Sequence, residues 1–502
     1  MLRRSAGAIL TSLLAASGCA STVPRPADLT QLSVSDAAQL VRDGRVTSAE
    51  LTQAYIARAD ANPGLNAYIT LDRAGAMTAA RRADADMAAR KSVGALHGVP
   101  LVVKDNTHVA GLPNTAATPA LRGFIPKENA PTVQKLVDAG AVVLGKTNMH
   151  ELAFGISGYN EGFFTAEPIG TRNPYDRTRF AGGSSSGTGA AIGARLAPGG
   201  LGSDTGGSVR IPAALSGAAG LRPTLGRYSQ DGVTPISHSR DTVGPMAQTV
   251  ADVALLDAVI TGGRPPAPAP LSGVRLGVYR GYFFKDLDAD TRAVTEGALE
   301  KLRRVGVAIV DVDMPDLQKA NDAASFPVAL YEAYDDLKAY LAKYQTGVSV
   351  EQLAAQIASK DVKETYDGLV LPRKLLAPNG MVDAAPAYAA AMRDARPALL
   401  KVFTDTFQRH GIDALIGPTT PAVAATQGPE ASSLPTFLLF IRNTDPGSNA
   451  GIPGLTIPAG LGSSTGLPVG ISLDGPRGSD QRLLAIGIAI ERVLGRTAPP
   501  GR

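Results

Sequence analysis

Residues 182–220 read GGSSSGTGAAIGARLAPGGLGSDTGGSVRIPAALSGAAG, and the interpretation of the whole chain depends on this stretch. It contains few charged side chains and is crowded with glycine and serine. A flexible linker would share that composition, but it would not include alanine runs of helix length or the segment VRIP at 209–212. Glycine adopts backbone conformations closed to other residues and lets the main chain approach a ligand closely. The stretch therefore predicts a pocket wall built from backbone N–H groups and small hydroxyls.

The composition of the 502-residue chain indicates a globular protein, because 44% of its residues are hydrophobic and 19% are charged. A chain of this length forms two or three domains, or one large α/β domain. The formal net charge of +4 is spread along the sequence, and no basic stripe is interleaved with aromatic residues. Nucleic acid is therefore not expected as a partner.

Residues 1–19 predict a signal peptide of the lipoprotein type. Two arginines precede an apolar run over residues 6–16, which is too short to span a bilayer as a helix. The run ends in ASGC at 16–19, which resembles a bacterial lipobox; an ordinary signal peptide cleaved nearby is the alternative. We expect an exported protein, periplasmic or bound to the outer membrane of a bacterium only through a lipid on Cys19, with a tether over 20–29. A single cysteine also allows no intramolecular disulfide.

Apolar runs and helical patterns alternate along the chain, which predicts α/β architecture. The residues Thr47-Ser48-Ala49-Glu50 form a capping box ahead of a helix. Buried strands are predicted at 101–103, 141–144, 274–279, 308–312, 413–416 and 469–473. Helices are predicted around 74–90, 132–139, 249–260, 290–305 and 481–494.

Three segments carry weaker patterns. Residues 320–410 are predicted to be largely helical, with a proline-containing loop at 371–380. No element is predicted within 418–460, which is rich in proline, glycine and asparagine. The segment GGRPPAPAP at 262–270 is the best candidate for a linker.

Two short motifs match known patterns without the context these patterns need. Residues 140–147, GAVVLGKT, satisfy the phosphate-loop pattern, but the residues between the glycines form an apolar strand instead of an open loop. Residues 183–187, GSSSG, satisfy the nucleophile-elbow pattern, but a loop precedes them where a buried strand is required. With His238 or His410 as its partner, the elbow stays open as an alternative. The five histidines lack the spacing of a metal-binding helix, so no metal site is predicted.

Lys104 follows the predicted strand 101–103 and precedes Asp105 and Asn106. A lysine at a strand end commonly extends its amine to solvent. A buried lysine instead has a lowered pKa, because desolvation disfavours the charged amine, and it can then act as a base. The spacing alone leaves both interpretations open.

The surroundings of Lys104 and the glycine- and serine-rich stretch resemble the amidase signature family. The motifs are GVPLVVKD at 98–105, GGSSSG at 182–187 and GSDTGGSVRIP at 202–212, and residues 145–151, 413–421, 451–453 and 466–470 are similar to further landmarks. The likeness implies an α/β fold in one large domain over 30–495, with a mixed central β-sheet flanked by helices. Residues 226–257 look most like the indoleacetamide and mandelamide hydrolase branch.

Position by position, the resemblance implies a Ser–Ser–Lys triad. Ser208 matches the nucleophile, Ser184 the bridging serine on a cis peptide bond, and Lys104 the base. The groups that would hold the oxyanion and substrate belong to Thr205, Gly206, Gly207 and Ser185, and the supporting residues are Asp204 and Arg210. Ser203 and Ser186 depart from the frequent family residues, and neither is expected to touch the triad. The resemblance implies no metal and no cofactor.

The activity implied is hydrolysis of a carboxylic amide C–N bond, giving an acid and ammonia or an amine through an acyl-enzyme. The expected partner is a small aryl or apolar amide. A peptide C-terminal amidase or a carbamate hydrolase would share the same residues, and a catalytically silent binding or amidotransferase-type subunit is the alternative from another class. The oligomeric state is left open, including a homodimer.

Substrate choice is predicted to depend on three segments, 149–165, 320–380 and 430–450. Residues in or near them that could line an apolar acyl pocket are Phe154, Ile156, Phe163, Phe164 and the cluster 437–441. Core packing explains each of these residues equally well when it is taken alone.

Overall fold

The chain's structure is a computed structural model that describes residues 23–164 and 169–501. The predicted signal peptide at 1–19, with Cys19, lies outside the described residues, as do the first residues of the predicted tether at 20–29. The limits of the tether and of the 30–495 domain stay predictions.

The centre of the fold is a mixed sheet of eleven strands, and two further strands, β9 and β10, pair as a separate hairpin. The strands in chain order are β1 Tyr68–Leu71, β2 Pro100–Lys104, β3 Val142–Thr147, β4 Gly199–Asp204, β5 Ala219–Arg222, β6 Thr242–Ala247, β7 Arg275–Val278, β8 Ala308–Asp311, β9 Lys374–Ala377, β10 Gly380–Asp383, β11 Ala414–Pro418, β12 Gly454–Leu461 and β13 Pro468–Asp474.

The strand order in the large sheet is β1-β3-β2-β4-β6-β5-β12-β13-β11-β7-β8. The pairs β2–β3, β2–β4, β7–β8 and β7–β11 are parallel, and the other neighbours are antiparallel. The mixed pairing confirms the predicted α/β fold built on one mixed central sheet.

Helices flank this sheet, and in the described ranges each of them is too short or too polar to span a bilayer. They are α1 Val34–Arg42, α2 Ser48–Asp60, α3 Arg73–Ala88, α4 Pro131–Asp138, α5 Ser186–Gly193, α6 Arg210–Leu215, α7 Val250–Thr261, α8 Arg280–Phe283, α9 Ala289–Arg304, α10 Leu317–Lys343, α11 Val350–Ala354, α12 Lys360–Thr365, α13 Ala384–Ala390, α14 Arg396–His410, α15 Leu434–Ile441, α16 Asp445–Ala450 and α17 Asp480–Leu494.

The glycine- and serine-rich stretch lies in the interior of the molecule. Residues 182–220 supply α5, β4, α6 and β5, and every one of them except Thr205 is buried. Small side chains allow this close packing: a Cβ on Gly187 would collide with the main chain of Ala67 and Asn148, and one on Gly200 would collide with the Val102 carbonyl. The stretch is therefore the core of the fold, and the linker interpretation is wrong.

Most predicted elements are present within a few residues of their expected limits. The capping box at Thr47 is formed, with the Thr47 hydroxyl bound to the Glu50 N–H and the Glu50 carboxylate bound to the Thr47 N–H. Residues 262–270 have no regular structure, yet they connect α7 to β7 of the same sheet. They therefore join parts of one domain.

Two segments differ from the prediction. The loop at 371–380 contains β9 and the first residue of the hairpin's second strand, β10, which leaves Leu376 74% exposed. The segment 418–460 contains α15, α16 and β12. Two of its prolines, Pro435 and Pro446, lie in the first turns of these helices, where no N–H is required, and Gly451 ends α16 with φ of 69°. The proline and glycine content of this segment predicted no helix, yet two of the prolines begin α15 and α16 and one glycine ends α16.

Candidate active site

Lys104 is the last residue of β2, and its side chain is fully buried. Its Nζ lies 2.7 Å from Ser184 Oγ, 2.8 Å from Ser203 Oγ and 3.4 Å from the Ser203 carbonyl oxygen. Burial lowers the pKa of this amine to about 7, and the carboxylates of Asp204 and Asp241 oppose that shift only in part. Of the two interpretations of Lys104, the structure therefore supports the buried one.

Ser184 and Ser185 precede α5, and the peptide bond between Gly183 and Ser184 is cis, as the resemblance implied. The Ser184 carbonyl accepts a hydrogen bond from the His150 N–H at 3.1 Å. The Ser185 N–H donates to the Ser208 carbonyl at 3.1 Å, which fixes the main chain of the two serine segments side by side. Ser185 Oγ is held by the main chain of Ser203 at 3.1–3.2 Å.

Ser208 lies between β4 and α6 and is 9% exposed. Within residues 23–164 and 169–501 its hydroxyl makes no hydrogen bond, so the structure joins Lys104 to Ser184 directly but does not bond Ser184 to Ser208. The main-chain N–H groups of Gly206, Gly207 and Ser208 also donate no hydrogen bond within those ranges. Buried N–H groups are normally paired, so three consecutive free donors beside a free hydroxyl form a site for a negatively charged oxygen.

The loop that carries these donors is fixed from one side by charge. Asp204, at the end of β4, accepts from Arg210 Nε and Nη2 at 3.1 Å each and from Arg222 Nη1 at 3.0 Å. All three side chains are fully buried. Burial alone would raise the pKa of Asp204, but the two guanidinium groups hold it well below its ordinary value. The Asp204 oxygens are therefore ionised and also accept the Val209 N–H at 3.2 Å.

The other side of the loop is fixed by residues that the sequence analysis did not find. Thr205 Oγ1 donates to Asp241 at 2.6 Å, and the Gly206 carbonyl accepts from Thr444 Oγ1 at 2.7 Å. Arg240 bonds to the Thr205 carbonyl at 3.3 Å and to Asp445 at 2.5 Å. These partners lie far from residues 205–208 in sequence, and no local pattern indicates them.

The expectation that Ser203 stands apart from the triad is wrong. Its hydroxyl accepts from Lys104 Nζ at 2.8 Å and from Asn106 Nδ2 at 3.0 Å. Because the Asn106 amide can only donate at that position, it orients the Ser203 oxygen towards the lysine as an acceptor. Ser186 behaves as expected, since its hydroxyl bonds to Thr171 at 2.9 Å.

A cavity of about 580 Å³ lies near this centre: Lys104, Ser184 and Ser208 are not among the residues described as lining it, but His150, which lines it, donates its N–H to the Ser184 carbonyl. Two contacts connect the cavity wall to the glycine-rich loops. Ile156 lines the cavity, and its main chain packs against Gly183. Phe437 lines the cavity too, and Ile441, one helical turn further along, packs against Gly206. Its apolar wall includes Phe154, Ile156, Phe326, Leu330, Leu434 and Phe437, and its polar groups include His150, Asp322, Asp361, Glu364 and Ser432.

The lining of the cavity comes from the three segments predicted to control specificity, 149–165, 320–380 and 430–450. Of the predicted pocket residues, Phe154, Ile156 and Phe437 line the cavity, and the others, Phe163, Phe164 and residues 438–441, are not among the described lining residues. The Phe163 ring lies under the Arg122 guanidinium, 4.8 Å from the ring centroid.

The alternative nucleophile elbow finds no support in the geometry. Ser185, its central serine, is bound to the Ser203 main chain, while His238 contacts Asp336 and His410 accepts from Arg409.

One cluster of potential metal ligands was missed by the sequence analysis: His238, Glu332 and Asp336 lie within 4.8 Å of one another. Glu332 already accepts from Ser237, Ser239 and Tyr388. The His238 N–H and ring both bond to Asp336. His238, Glu332 and Asp336 therefore belong to a hydrogen-bonded cluster that anchors residues 237–239 to α10.

Comparison with known proteins gives a consistent result. The family described as Amidase matches residues 50–484. Mandelamide hydrolase from Pseudomonas putida is 47% identical over 95% of this chain and 94% of its own length. Indoleacetamide hydrolase from Agrobacterium vitis is 41% identical over 89% of this chain and 93% of its own length. The solved structure of a native peptide amidase from Stenotrophomonas maltophilia superposes with a TM-score of 0.80 at 31% identity, covering 94% of this chain and 98% of that one.

The charge network at Asp204 yields a prediction on stability. Asp204→Asn leaves two guanidinium groups in the core without their main counter-charge, and breaking a buried ion pair in this way costs about 3–5 kcal/mol. We expect that loss in the free energy of unfolding, measured by denaturant titration. Asp231→Asn is the matched control, because Asp231 pairs with Lys343 at the exposed surface, where such pairs contribute about 0–1 kcal/mol. Equal losses in the two variants would contradict the role given to Asp204.

Proposed function

This chain belongs to the amidase family and is an amide hydrolase, and we propose that it hydrolyses small aryl or apolar amides through Lys104, Ser184 and Ser208. The observation that carries the proposal is the 2.7 Å contact between Lys104 Nζ and Ser184 Oγ in a fully buried setting. No carboxylate lies within 4 Å of this amine among the described residues. An amine with hydroxyl and carbonyl contacts and a pKa near 7 can be neutral at physiological pH and can accept a proton.

In the proposed reaction Ser208 Oγ attacks the amide carbon. Its proton passes to Ser184, and the Ser184 proton passes to Lys104. The protonated lysine returns a proton by the same path to the leaving nitrogen, which departs as ammonia or an amine and leaves an acyl-enzyme that water hydrolyses. The missing Ser184–Ser208 hydrogen bond is compatible with this path, because catalytic hydrogen bonds commonly tighten only when substrate binds.

The free N–H groups of Gly206, Gly207 and Ser208 support the same proposal. An attacked amide carbonyl develops negative charge on its oxygen, and fixed donors stabilise that charge. Removing one such donor costs about 3–4 kcal/mol in well-studied hydrolases. The Asp204 and Thr444 contacts described above hold this loop in place, so the donors need little reorganisation during the reaction.

The cavity supports an aryl or apolar acyl group. Its apolar wall includes three phenylalanines, Phe154, Phe326 and Phe437, and the rings of Phe326 and Phe437 stack at 6.2 Å. Asp322, Asp361 and Glu364 line it as well, so an acyl group that carries a carboxylate would be repelled. The names of the mandelamide and indoleacetamide hydrolases also point to amides with one aromatic ring system.

A peptide C-terminal amidase is the second candidate, and the likeness to the solved peptide amidase favours it. Phenylacetamide and a dipeptide amide, compared by ammonia release from the purified protein, separate the two. Turnover of the dipeptide amide at a kcat/KM ten or more times that of phenylacetamide would replace the aryl amide as the proposed substrate.

The triad assignment predicts that Ser208→Ala and Lys104→Met each remove turnover of phenylacetamide. The loss should exceed about 10³-fold, because residues that act as one catalytic unit each cost nearly the whole rate when removed. Ammonia release gives the rate, and thermal unfolding verifies that each variant is folded. Ser463→Ala, on an exposed turn before β13, is the control. A folded variant of Ser208 or Lys104 with a rate within tenfold of wild type would contradict the assignment.

The Lys104 pKa predicts how the activity depends on pH. Its folded-state pKa is lowered to about 7, so the amine is protonated and inactive below that pH and neutral above it. We expect kcat/KM for phenylacetamide to rise about tenfold per pH unit below 7 and to level off above it. A rise that continued to pH 9, as an ordinary lysine would give, or a profile flat from pH 5 to pH 9, would show that another group is the base.

We propose further that the protein is exported and that a lipid on Cys19 anchors it. The full-length gene expressed in a bacterium tests this: the wild type should incorporate a labelled fatty acid and sediment with membranes, and Cys19→Ser should do neither. Recovery of unlabelled wild-type protein in the soluble periplasmic fraction would instead support the ordinary signal peptide.

A further inference from the structure

Three oxygen atoms surround the amine of Lys104, and Ser203 supplies two of them. Lys104 Nζ lies 2.8 Å from Ser203 Oγ and 3.4 Å from the Ser203 carbonyl oxygen, and the third oxygen, Ser184 Oγ, lies at 2.7 Å. All three residues are buried. A protonated lysine carries three N–H donors and no acceptor. The oxygens around the amine therefore match its protonated form, one oxygen to each hydrogen.

Ser203 is held at this position by its main chain and by Asn106. It lies on β4, which pairs with the strand that ends at Lys104. Its N–H donates to Ser185 Oγ at 3.2 Å, and its carbonyl accepts from the same hydroxyl at 3.1 Å. Asn106 Nδ2 donates to Ser203 Oγ at 3.0 Å and to the Thr234 carbonyl at 3.4 Å. A carbonyl only accepts, so the Thr234 contact fixes which end of the Asn106 amide faces Ser203.

The charged groups around the amine act on it from a distance. Asp204 on β4, already paired with the two buried arginines, and Asp241 before β6 both raise the pKa of Lys104, against the larger lowering by burial. Asp105 and Lys146 on the neighbouring strands face each other at 3.4 Å. The direct partners of the amine are hydroxyl and carbonyl oxygens. A positive charge on Lys104 therefore depends on these oxygens for its hydrogen bonds.

We propose that Ser203 is a positioning residue that receives N–H groups of the protonated Lys104, and that Asn106 holds Ser203 in place for this task. The inference rests on the proposed function, in which Lys104 takes a proton when Ser208 attacks. A positive charge then appears in a buried site, and hydrogen bonds from a charged donor are about twice as strong as neutral ones. Ser203 therefore stabilises the protonated amine formed during the reaction more than the neutral amine that precedes it.

Ser203→Ala tests this role, because it removes the hydroxyl acceptor and leaves the carbonyl. Losing a hydrogen bond to the charged form lowers a pKa further, so the amine should lose its proton at lower pH. The acidic limb, the part of the pH profile in which kcat/KM rises, should move down by about one pH unit, and kcat/KM above it should fall about tenfold. Ammonia release from phenylacetamide or the dipeptide amide, whichever turns over faster, gives the profile. A purely structural loss would lower the rate at every pH and leave the midpoint of the limb unchanged.

Three further variants separate the hydroxyl from its surroundings. Ser203→Thr keeps the hydroxyl and should keep the wild-type midpoint and most of the rate. Asn106→Ala should move the midpoint in the same direction by less, and the double variant should move it no further than Ser203→Ala, because Asn106 acts through Ser203. Ser186→Ala is the matched control: it removes another buried hydroxyl of the same stretch, bonded to Thr171, and should leave the midpoint in place. Thermal unfolding verifies that each variant is folded.

Sulfonylation of Ser208 by phenylmethanesulfonyl fluoride measures the same base without an amide substrate. The Ser208 oxygen forms a bond to sulfur, the S–F bond breaks and fluoride leaves, and the Ser208 proton passes through Ser184 to Lys104. The rate of the mass gain, followed against pH on the purified full chain, should show the wild-type limb and the same downward shift in Ser203→Ala.

The outcomes separate this inference from the proposed function. If Lys104→Met loses turnover and sulfonylation while Ser203→Ala keeps the wild-type midpoint in both measurements, the role of Ser203 is wrong and the triad stands. Independent, multiplying effects of Ser203→Ala and Asn106→Ala would overturn the part given to Asn106. If Lys104→Met keeps the wild-type rate, both proposals fail. If neither amide is hydrolysed, the proposed substrate is wrong, and the sulfonylation profile alone decides the role of Ser203.

Discussion

The ion network of Asp204, Arg210 and Arg222 is the constraint on which the rest of the structure depends. Two guanidinium groups and one carboxylate are fully buried at the end of the central strand β4. Desolvating them costs several kcal/mol per charge, and the arrangement is tolerable only because the carboxylate oxygens are shared among good donors. Arg222, at the end of β5, also donates to the carbonyl oxygens of Asp204, Arg240 and Ser448. It therefore connects β5 to β4, to the segment before β6 and to α16.

The nucleophile and oxyanion donors of the proposed reaction occupy the residues immediately next to that network. The loop from Thr205 to Ser208 leaves β4 at Asp204 and enters α6 at Arg210, so both of its ends are fixed by the same ion pair. Between these ends, N–H groups remain free where most buried N–H groups are paired. A rigid frame around unpaired donors is the arrangement that electrostatic preorganisation requires.

Much of this could be predicted from the sequence, and the exceptions have physical reasons. The residues of the central strands and the motif positions follow from local patterns, and the structure places Lys104, Ser184 and Ser208 in one region. Lys104 and Lys146 show the limit: both lie in buried strands, yet Lys146 faces Asp105 at 3.4 Å and Lys104 faces hydroxyls. The burial of each lysine and the partners of its amine depend on segments that are distant in the sequence. The spacing of residues around the lysine carries no information about those segments. For the same reason the contacts of Ser203, Asp241 and Thr444 were not found, and the two helices in 418–460 were obscured by the prolines that begin them.

The segment from α15 to α16 has a consequence for how this enzyme can diverge. Phe437 lines the cavity, Ile441 packs on Gly206, and Thr444 bonds to the Gly206 carbonyl, all within eight residues. In the proposed function, one short segment therefore contacts both the cavity that selects the substrate and the loop that holds the oxyanion. Substitutions that reshape this side of the cavity therefore also act on the position of Gly206, because Ile441 and Thr444 of the same segment contact it. Lineages that change substrates should instead accumulate their early substitutions on the α12 side of the cavity, because α10 is tied to the same loop through Arg240, which binds both the Ser325 carbonyl and the Thr205 carbonyl.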